Sequence, residues 1–179
     1  YVKFAKNCLG NNVPSEDFFV TAPHPMCVGF YYNEEINGVK KQNFDNVIAI
    51  QILAKKLINK LPGITYGPED FPFYYNVVFD KHASIDIQGL DVTSHHPKAN
   101  PYVLPDNKYH DEKLINIKDC QCVYLSYEKL IKLKPDDMEL KEYLRKCLTS
   151  NKEDKIVFND LKKFNIKNIW NAEVFKMYQ

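Results

Sequence analysis

The sequence predicts a single mixed α/β domain, in which a mixed β-sheet is flanked by helices. Strand-like runs and helix-like runs follow one another along the chain, and no internal repeat, low-complexity tract or linker divides it. A length of 179 residues and a hydrophobic content of 45% allow a substantial core without disulfide or metal staples. We therefore expect residues 1–179 to form one domain.

Charge and cysteine usage narrow the classes of protein that fit this chain. The formal net charge is only +1, so any affinity for nucleic acid must come from a local patch. No apolar run is long enough to span a membrane. The five cysteines have no regular spacing, and Cys120-Gln121-Cys122 lacks a second ligand pair for zinc. We expect reduced thiols and an intracellular location, cytoplasmic or nuclear.

The first third of the chain predicts a β-hairpin and then a long amphipathic helix. Val28–Tyr32 and Gly38–Lys41 are strand-like, and Asn37-Gly38 supplies the positive φ angles of a tight return. From about Phe44 to Leu61 apolar residues fall on one helical face and lysines on another. A Pro-Gly pair ends this predicted helix.

The middle of the chain predicts a second hairpin, a long loop, a strand and a charged helix. Phe73–Phe79 and Ala83–Gln88 are rich in β-forming residues and are separated by a short polar turn. Thr93–Asp111 carries three prolines and no periodicity, and long loops of this kind are often functional. A strand over Cys122–Tyr127 and a helix over Asp136–Leu148, which begins with a capping-box pattern, follow.

The end of the chain predicts one more strand and two short helices. Lys155–Phe158 is strand-like, and Asn159 is suited to cap the helix that follows it. A last helix is expected near Ala172–Tyr178. The whole order of elements therefore indicates a mixed sheet covered by helices.

The most suggestive polar residues lie in the second predicted hairpin. In a strand, residues two apart share a face, so Asp86 and Gln88 are expected to project together. The hairpin partner could bring Asp80 or Asn76 beside them. Two oxygen ligands on neighbouring strands suit Mg²⁺, which keeps several waters and uses other positions to orient a phosphate.

This order of helix, acid-bearing strand and Asp86-Ile87-Gln88 strand resembles the PD-(D/E)XK nucleases, over roughly Phe44 to Tyr127. The resemblance implies a restriction-endonuclease-like fold and hydrolysis of DNA or RNA. It also implies that Asp80 and Asp86 bind Mg²⁺, while Gln88 stands at the usual lysine position and orients the attacking water. Asn76 is the alternative position for the first acid.

Two further patterns remain open beside this one. Pro105-Asp106 followed by Asn116-Ile117-Lys118 has the outline of the same motif in another register, with Asn116 at the position of the second acid. Ile85–Asp91 is similar to the first motif of the DEDD-type 3′–5′ exonucleases, with Gln88 where the second acid belongs. Each pattern has a simpler interpretation as a turn or as an ordinary strand.

The long loop supplies the residues expected to contact nucleic acid, which are His95, His96, Lys98 and Lys108. Lysines also cluster elsewhere, with tyrosine and phenylalanine between them, and such a surface suits phosphate contact and base stacking. The leading prediction is therefore a Mg²⁺-dependent endonuclease. The alternative is a non-catalytic domain that binds protein or nucleic acid through a tyrosine- and lysine-rich surface. A homodimer or a larger multidomain protein fits either function.

Overall fold

The computed structural model describes residues 1–32, 35–36, 39–40, 47–69, 77, 79, 83–94, 121–156 and 158. The described part contains ten β-strands, one 3₁₀ helix and two α-helices, so the chain is a mixed α/β protein, as predicted. The strands are β1 (Val2–Phe4), β2 (Phe18–Val20), β3 (Pro25–Tyr32), β4 (Glu35–Ile36), β5 (Val39–Lys40), β6 (Val47–Leu53), β7 (Ile64–Tyr66), β8 (Ser84–Ile87), β9 (Leu90–Thr93) and β10 (Gln121–Tyr124). The 3₁₀ helix spans Ala54–Leu57, and the α-helices are α1 (Tyr127–Lys132) and α2 (Leu140–Leu148).

A five-stranded mixed sheet, in the order β10-β6-β3-β9-β8, is the largest sheet of the described structure. β6 and β10 run parallel, whereas the other neighbouring strands are antiparallel. β6 is paired on both sides, and its residues Ala49, Ile50, Gln51 and Ile52 are buried. β6 is therefore a buried interior strand of the sheet, next to the middle strand β3.

The predicted helix over Phe44–Leu61 is wrong. Val47–Leu53 forms β6, and the helical turn that follows it is only the 3₁₀ helix Ala54–Leu57. An almost continuous apolar run satisfies the helical spacing by default, because it places apolar residues at nearly every position. Its valine and isoleucines are β-branched, and Ile48 and Ile50 pair with a strand on each side, which favours a buried strand instead.

The Asn37-Gly38 return of the first predicted hairpin lies outside the described residues. On either side of it, Ile36 of the short strand β4 pairs with Val39 of the short strand β5. The longer run Val28–Tyr32 belongs to β3 and pairs with β6. A strand was thus predicted correctly here, but its partner was not.

The second predicted hairpin has one strand in the expected place. β8 covers most of Ala83–Gln88, but its partner is β9, which directly follows it in the chain. The predicted partner, Phe73–Phe79, lies outside the described residues except for Val77 and Phe79, which are not in a strand. β9 itself was not predicted.

A three-stranded antiparallel sheet, in the order β2-β1-β7, packs into the same hydrophobic core as the five-stranded sheet. Val2, Phe4 and Ile64 from this sheet are fully buried. The ring of Phe4 lies 6.2 Å from that of Phe18, between ring centroids. The core continues through residues of β3, β6 and β9 to the apolar face of α2.

The C-terminal elements agree with the sequence in part. α2 confirms the predicted helix, although it begins at Leu140 rather than at Asp136. The predicted strand Cys122–Tyr127 ends at Tyr124, because Ser126 caps the unpredicted helix α1 by accepting a hydrogen bond from the Lys129 backbone. Lys155, Ile156 and Phe158 are not in a strand, and the helices predicted after them lie outside the described residues.

Gly29 on β3 offers a direct test of this packing. A Cβ atom there would lie 2.9 Å from two ring carbons of Phe158 and 3.0 Å from the carbonyl oxygen of Ile156. We expect Gly29→Ala to lower the free energy of unfolding by about 1–3 kcal/mol, measured by urea denaturation. Gly67→Ala is the matched control, because its Cβ would come no closer than 3.2 Å, to Tyr1. Equal losses in the two variants would contradict close packing at Gly29.

Candidate functional site

The β8–β9 hairpin carries the described part of the predicted metal site. Its two strands place Asp86 directly opposite Asp91. The turn between them has Gln88 at φ 56° and Gly89 at φ 80°, as a tight two-residue hairpin requires. Gln88 therefore belongs to the turn and not to the strand.

The prediction that Asp86 and Gln88 project together from one strand face is wrong. Gln88 leaves the strand geometry at its positive φ, and its side-chain oxygen accepts a hydrogen bond from the backbone N–H of Glu16, at 3.2 Å. The amide thus ties the turn to the N-terminal region. This contact is a structural role for Gln88.

Asp86 is exposed, and both of its carboxylate oxygens accept hydrogen bonds. Oδ1 accepts from the Gly89 backbone N–H at 2.9 Å, which closes the turn. Oδ2 accepts from the Ser150 hydroxyl at 2.5 Å, which ties the hairpin to the segment after α2. Asp86 therefore fixes the hairpin and its neighbour in place.

The remaining predicted site residues lie outside the described residues. They are Asp80 of the metal site and His95, His96, Lys98 and Lys108 of the long loop. The second register, Pro105 to Lys118, also lies there, as does Asn76. Within the described ranges, no three His, Cys, Asp or Glu side chains form a cluster that could hold a metal ion.

A row of polar residues crosses the five-stranded sheet, and sequence reasoning missed it. Cys27 on β3 pairs with Gln51 on β6, and Gln51 pairs with Tyr124 on β10. On the other side Met26 pairs with Val92, which places Asp91 beside Cys27 on the same face. The sequence feature that could have indicated this row is Asp91, an acidic residue between the apolar Leu90 and Val92 of β9.

Asp91 forms a buried ion pair with Lys155, which follows α2. Each side chain is only 6% exposed. The Lys155 ammonium also donates to the carbonyl oxygen of Cys27 at 3.2 Å. Burial lowers the pKa of Lys155 to about 8, and the neighbouring Cys27 side chain opposes part of that effect.

Two polar groups of the row have no hydrogen-bond partner within the described part of the chain. They are Oδ1 of Asp91 and the whole side-chain amide of Gln51, which is fully buried. Unpartnered buried polar groups cost free energy, so each one marks a place where packing or function outweighs that cost.

The segment that carries Ser150 and Lys155 is itself held by a buried arginine. Arg145 on α2 donates to both carboxylate oxygens of Glu142, at 2.9 and 3.0 Å, and to Asp154 at 3.2 Å. Glu142 and then Asp154 raise the pKa of the Arg145 guanidinium further above its already high ordinary value. The Arg145 contacts thus position Lys155 against Asp91.

A second polar feature lies where the parallel strands β6 and β10 end. Both strands point the same way, so the 3₁₀ helix after β6 and α1 after β10 leave the sheet at the same end. The Lys60 ammonium lies 4.6 Å from the ring centroid of Tyr127. We call the residues Lys55, Lys56, Lys60 and Tyr127 the lysine–tyrosine surface.

Glu128, at the start of α1, lies near these lysines. A hydrogen bond with its own backbone and another with Ser126 lower the pKa of its carboxyl group. The positive charges of Lys60 and Lys56 lower that pKa further. Lysines from one sequence cluster therefore lie within electrostatic range of the start of α1.

The described cysteines are not suited to act as nucleophiles. Cys8, Cys27 and Cys147 are thiols rather than disulfides, and burial raises the pKa of Cys8 to about 11 and that of Cys147 to about 12. Such high pKa values make reactive thiolates rare. In the part of the chain that the structure describes, no helix has the length and apolar character to cross a membrane.

Comparison of the chain with protein-family models, with curated proteins and with solved structures found no match.

The structural role of Asp86 can be measured directly. Asp86→Ala removes both acceptors, so we expect the free energy of unfolding in urea to fall by roughly 1–2 kcal/mol. Asp86→Asn keeps an oxygen that can accept from the Gly89 N–H, and its amide N–H can donate to the Ser150 hydroxyl. Its free energy of unfolding should therefore fall by less than that of Asp86→Ala. An alanine variant as stable as the parent protein would contradict this role.

Proposed function

We propose that the chain is a nucleic-acid-binding domain that contacts the phosphate backbone through the lysine–tyrosine surface. The observation that carries the proposal is the convergence of exposed lysines and an aromatic ring at one end of the parallel pair β6–β10. In open sheets, ligands bind outside the carboxyl ends of strands, where loops and helix starts gather.

Local charge supports this proposal. Residues 54–60 and 126–132, which follow the two parallel strands, contain five lysines against one glutamate, whereas the whole chain has a net charge of only +1. Positive charge is therefore concentrated here above the chain average. Lysines that neutralise phosphates supply most of the sequence-independent affinity for nucleic acid.

Tyr127 supports the choice of a nucleic acid over a simple anion. Its ring is partly exposed and lies under the Lys60 ammonium. A base can stack on an aromatic face while a neighbouring lysine binds the adjacent phosphate, and this arrangement tolerates any sequence. Single-stranded DNA or RNA, whose bases are free to stack, fits such a surface best.

The binding proposal predicts a specific salt dependence. We expect Lys56→Ala/Lys60→Ala to weaken binding of a labelled single-stranded oligonucleotide about tenfold, and to lower the slope of log affinity against log salt by about 1–2. Fluorescence anisotropy at several NaCl concentrations measures both quantities. Lys141→Ala/Lys152→Ala is the matched control, because it removes two exposed lysines elsewhere in the protein.

Two results would contradict this proposal. One is an equal loss of affinity in both double variants, which would indicate diffuse charge attraction rather than a surface. The other is the absence of binding to any DNA or RNA at low salt.

As a second candidate we propose Mg²⁺-dependent phosphodiester hydrolysis at Asp86 and Asp80, in a restriction-endonuclease-like fold. The supporting observation is that Asp86 is exposed and is held by two donors, since metal-binding carboxylates are commonly fixed by such hydrogen bonds. Each oxygen keeps a further lone pair for a cation. The mixed sheet suits that fold. The segment predicted to be its first helix, however, forms the strand β6. Gln88 accepts a hydrogen bond from the Glu16 backbone, so this proposal gives it no catalytic role.

A cleavage assay tests the second candidate. If the site is active, we expect Mg²⁺- or Mn²⁺-dependent cleavage of labelled DNA or RNA that Asp86→Ala lowers at least a hundredfold. Ser150→Ala should retain most of the activity, because it removes the same hydrogen bond but leaves the carboxylate. Binding without cleavage under all conditions would contradict this candidate and support only the binding function. Equal losses of cleavage activity in both variants would indicate a folding defect.

A further inference from the structure

The buried pair of Lys155 and Asp91 joins two parts of the chain that are far apart in sequence. Asp91 lies in β9 of the central sheet, and Lys155 lies in the segment after α2. The amine and the carboxyl group are in direct contact, and each side chain is 6% exposed. The pair is made by Oδ2 of Asp91, whereas Oδ1 has no hydrogen-bond partner within the described residues.

Burial and contact act on the protonation states and on the distance of the two groups. In a dry interior, a buried ion pair has a high desolvation cost, and transfer of one proton gives a neutral amine and a neutral carboxylic acid. Burial lowers the pKa of Lys155 to about 8, so its neutral amine is accessible near neutral pH. Holding two reactants together replaces a slow bimolecular step with an intramolecular one.

The surrounding contacts hold the amine in position. The carbonyl oxygen of Cys27 accepts an N–H of Lys155 at 3.2 Å, which orients the nitrogen. Arg145 binds Asp154, the residue before Lys155. Ser150 donates to Asp86, directly opposite Asp91 in the hairpin. These contacts hold Lys155 against β3 and tie the segment before it to α2 and to the β8–β9 hairpin.

We propose that Lys155 and Asp91 form an intramolecular isopeptide bond that links β9 to the segment after α2. The neutral Nζ attacks Cγ of the protonated carboxyl group, and a C–N bond forms. The C–O bond to the hydroxyl group breaks, and that hydroxyl takes a proton from the nitrogen and leaves as water. The products are one amide and one water molecule, and no oxidant or other reactant is needed.

The link would have a structural consequence. It closes a covalent loop that contains β10, α1 and α2, and such a loop restricts the unfolded chain as a disulfide does. It also replaces two buried charges with an amide, which removes their desolvation cost. The bond uses neither the lysine–tyrosine surface nor the Asp86 carboxylate, so it stands apart from both proposed functions.

Mass spectrometry of the purified, full-length, denatured protein tests the bond. The expected intact mass is lower than the sequence mass by one water molecule. Trypsin should fail to cut after Lys155 and should release a branched peptide that joins residues 82–98 to residues 153–162. An intact mass equal to the sequence mass overturns the proposal, as does a water loss that maps to an unbranched peptide.

Variants make the assignment specific. Lys155→Met and Asp91→Ala should both have their full sequence mass, because each lacks one reacting group. Asp91→Asn should form the same amide with the loss of ammonia instead of water. If a variant fails to fold, the peptide map of the parent protein still decides the question.

Discussion

The pairing of β6 with β3 on one side and with β10 on the other is the interaction on which the rest of the described structure depends. It buries Ala49–Ile52 completely or nearly so and pairs Ala49, Ile50 and Gln51 with a strand on each side. The antiparallel pair with β3 carries the sheet onward to β9 and β8. Because β10 runs parallel to β6, the 3₁₀ helix and α1, which follow these strands, lie at the same end of the sheet.

The described structure contains two polar regions that differ in exposure: the lysine–tyrosine surface and the Lys155–Asp91 pair. The lysine–tyrosine surface is exposed, so its charges are screened by solvent and are available to an anionic partner. The Lys155–Asp91 pair is dry, so its charges are costly and their interaction is strong. Exposure therefore suits the first region to the proposed recognition of nucleic acid, and burial suits the second to the proposed cross-link.

Arg145 shows how the second region is built. It is buried on α2, and its bonds to Glu142 and Asp154 fix the segment that carries Ser150 and Lys155. The backbone of Ser150 donates in turn to the carbonyl of Gly89 in the β8–β9 turn. The hairpin and α2 are thus connected by side chains and by backbone, which places β8, β9 and the end of α2 in one unit.

The sequence by itself determined the mixed α/β class, the position of β8 and most of α2, because these depend on short periodic patterns. It could not distinguish a buried strand from a helix at Val47–Leu53, since a continuous apolar run fits both. Strand partners, the turn geometry that separates Gln88 from Asp86, and the contact of Lys155 with Asp91 were decided only by the tertiary structure. Each of these joins residues that are distant in sequence or depends on burial, and no local pattern encodes which distant groups will meet.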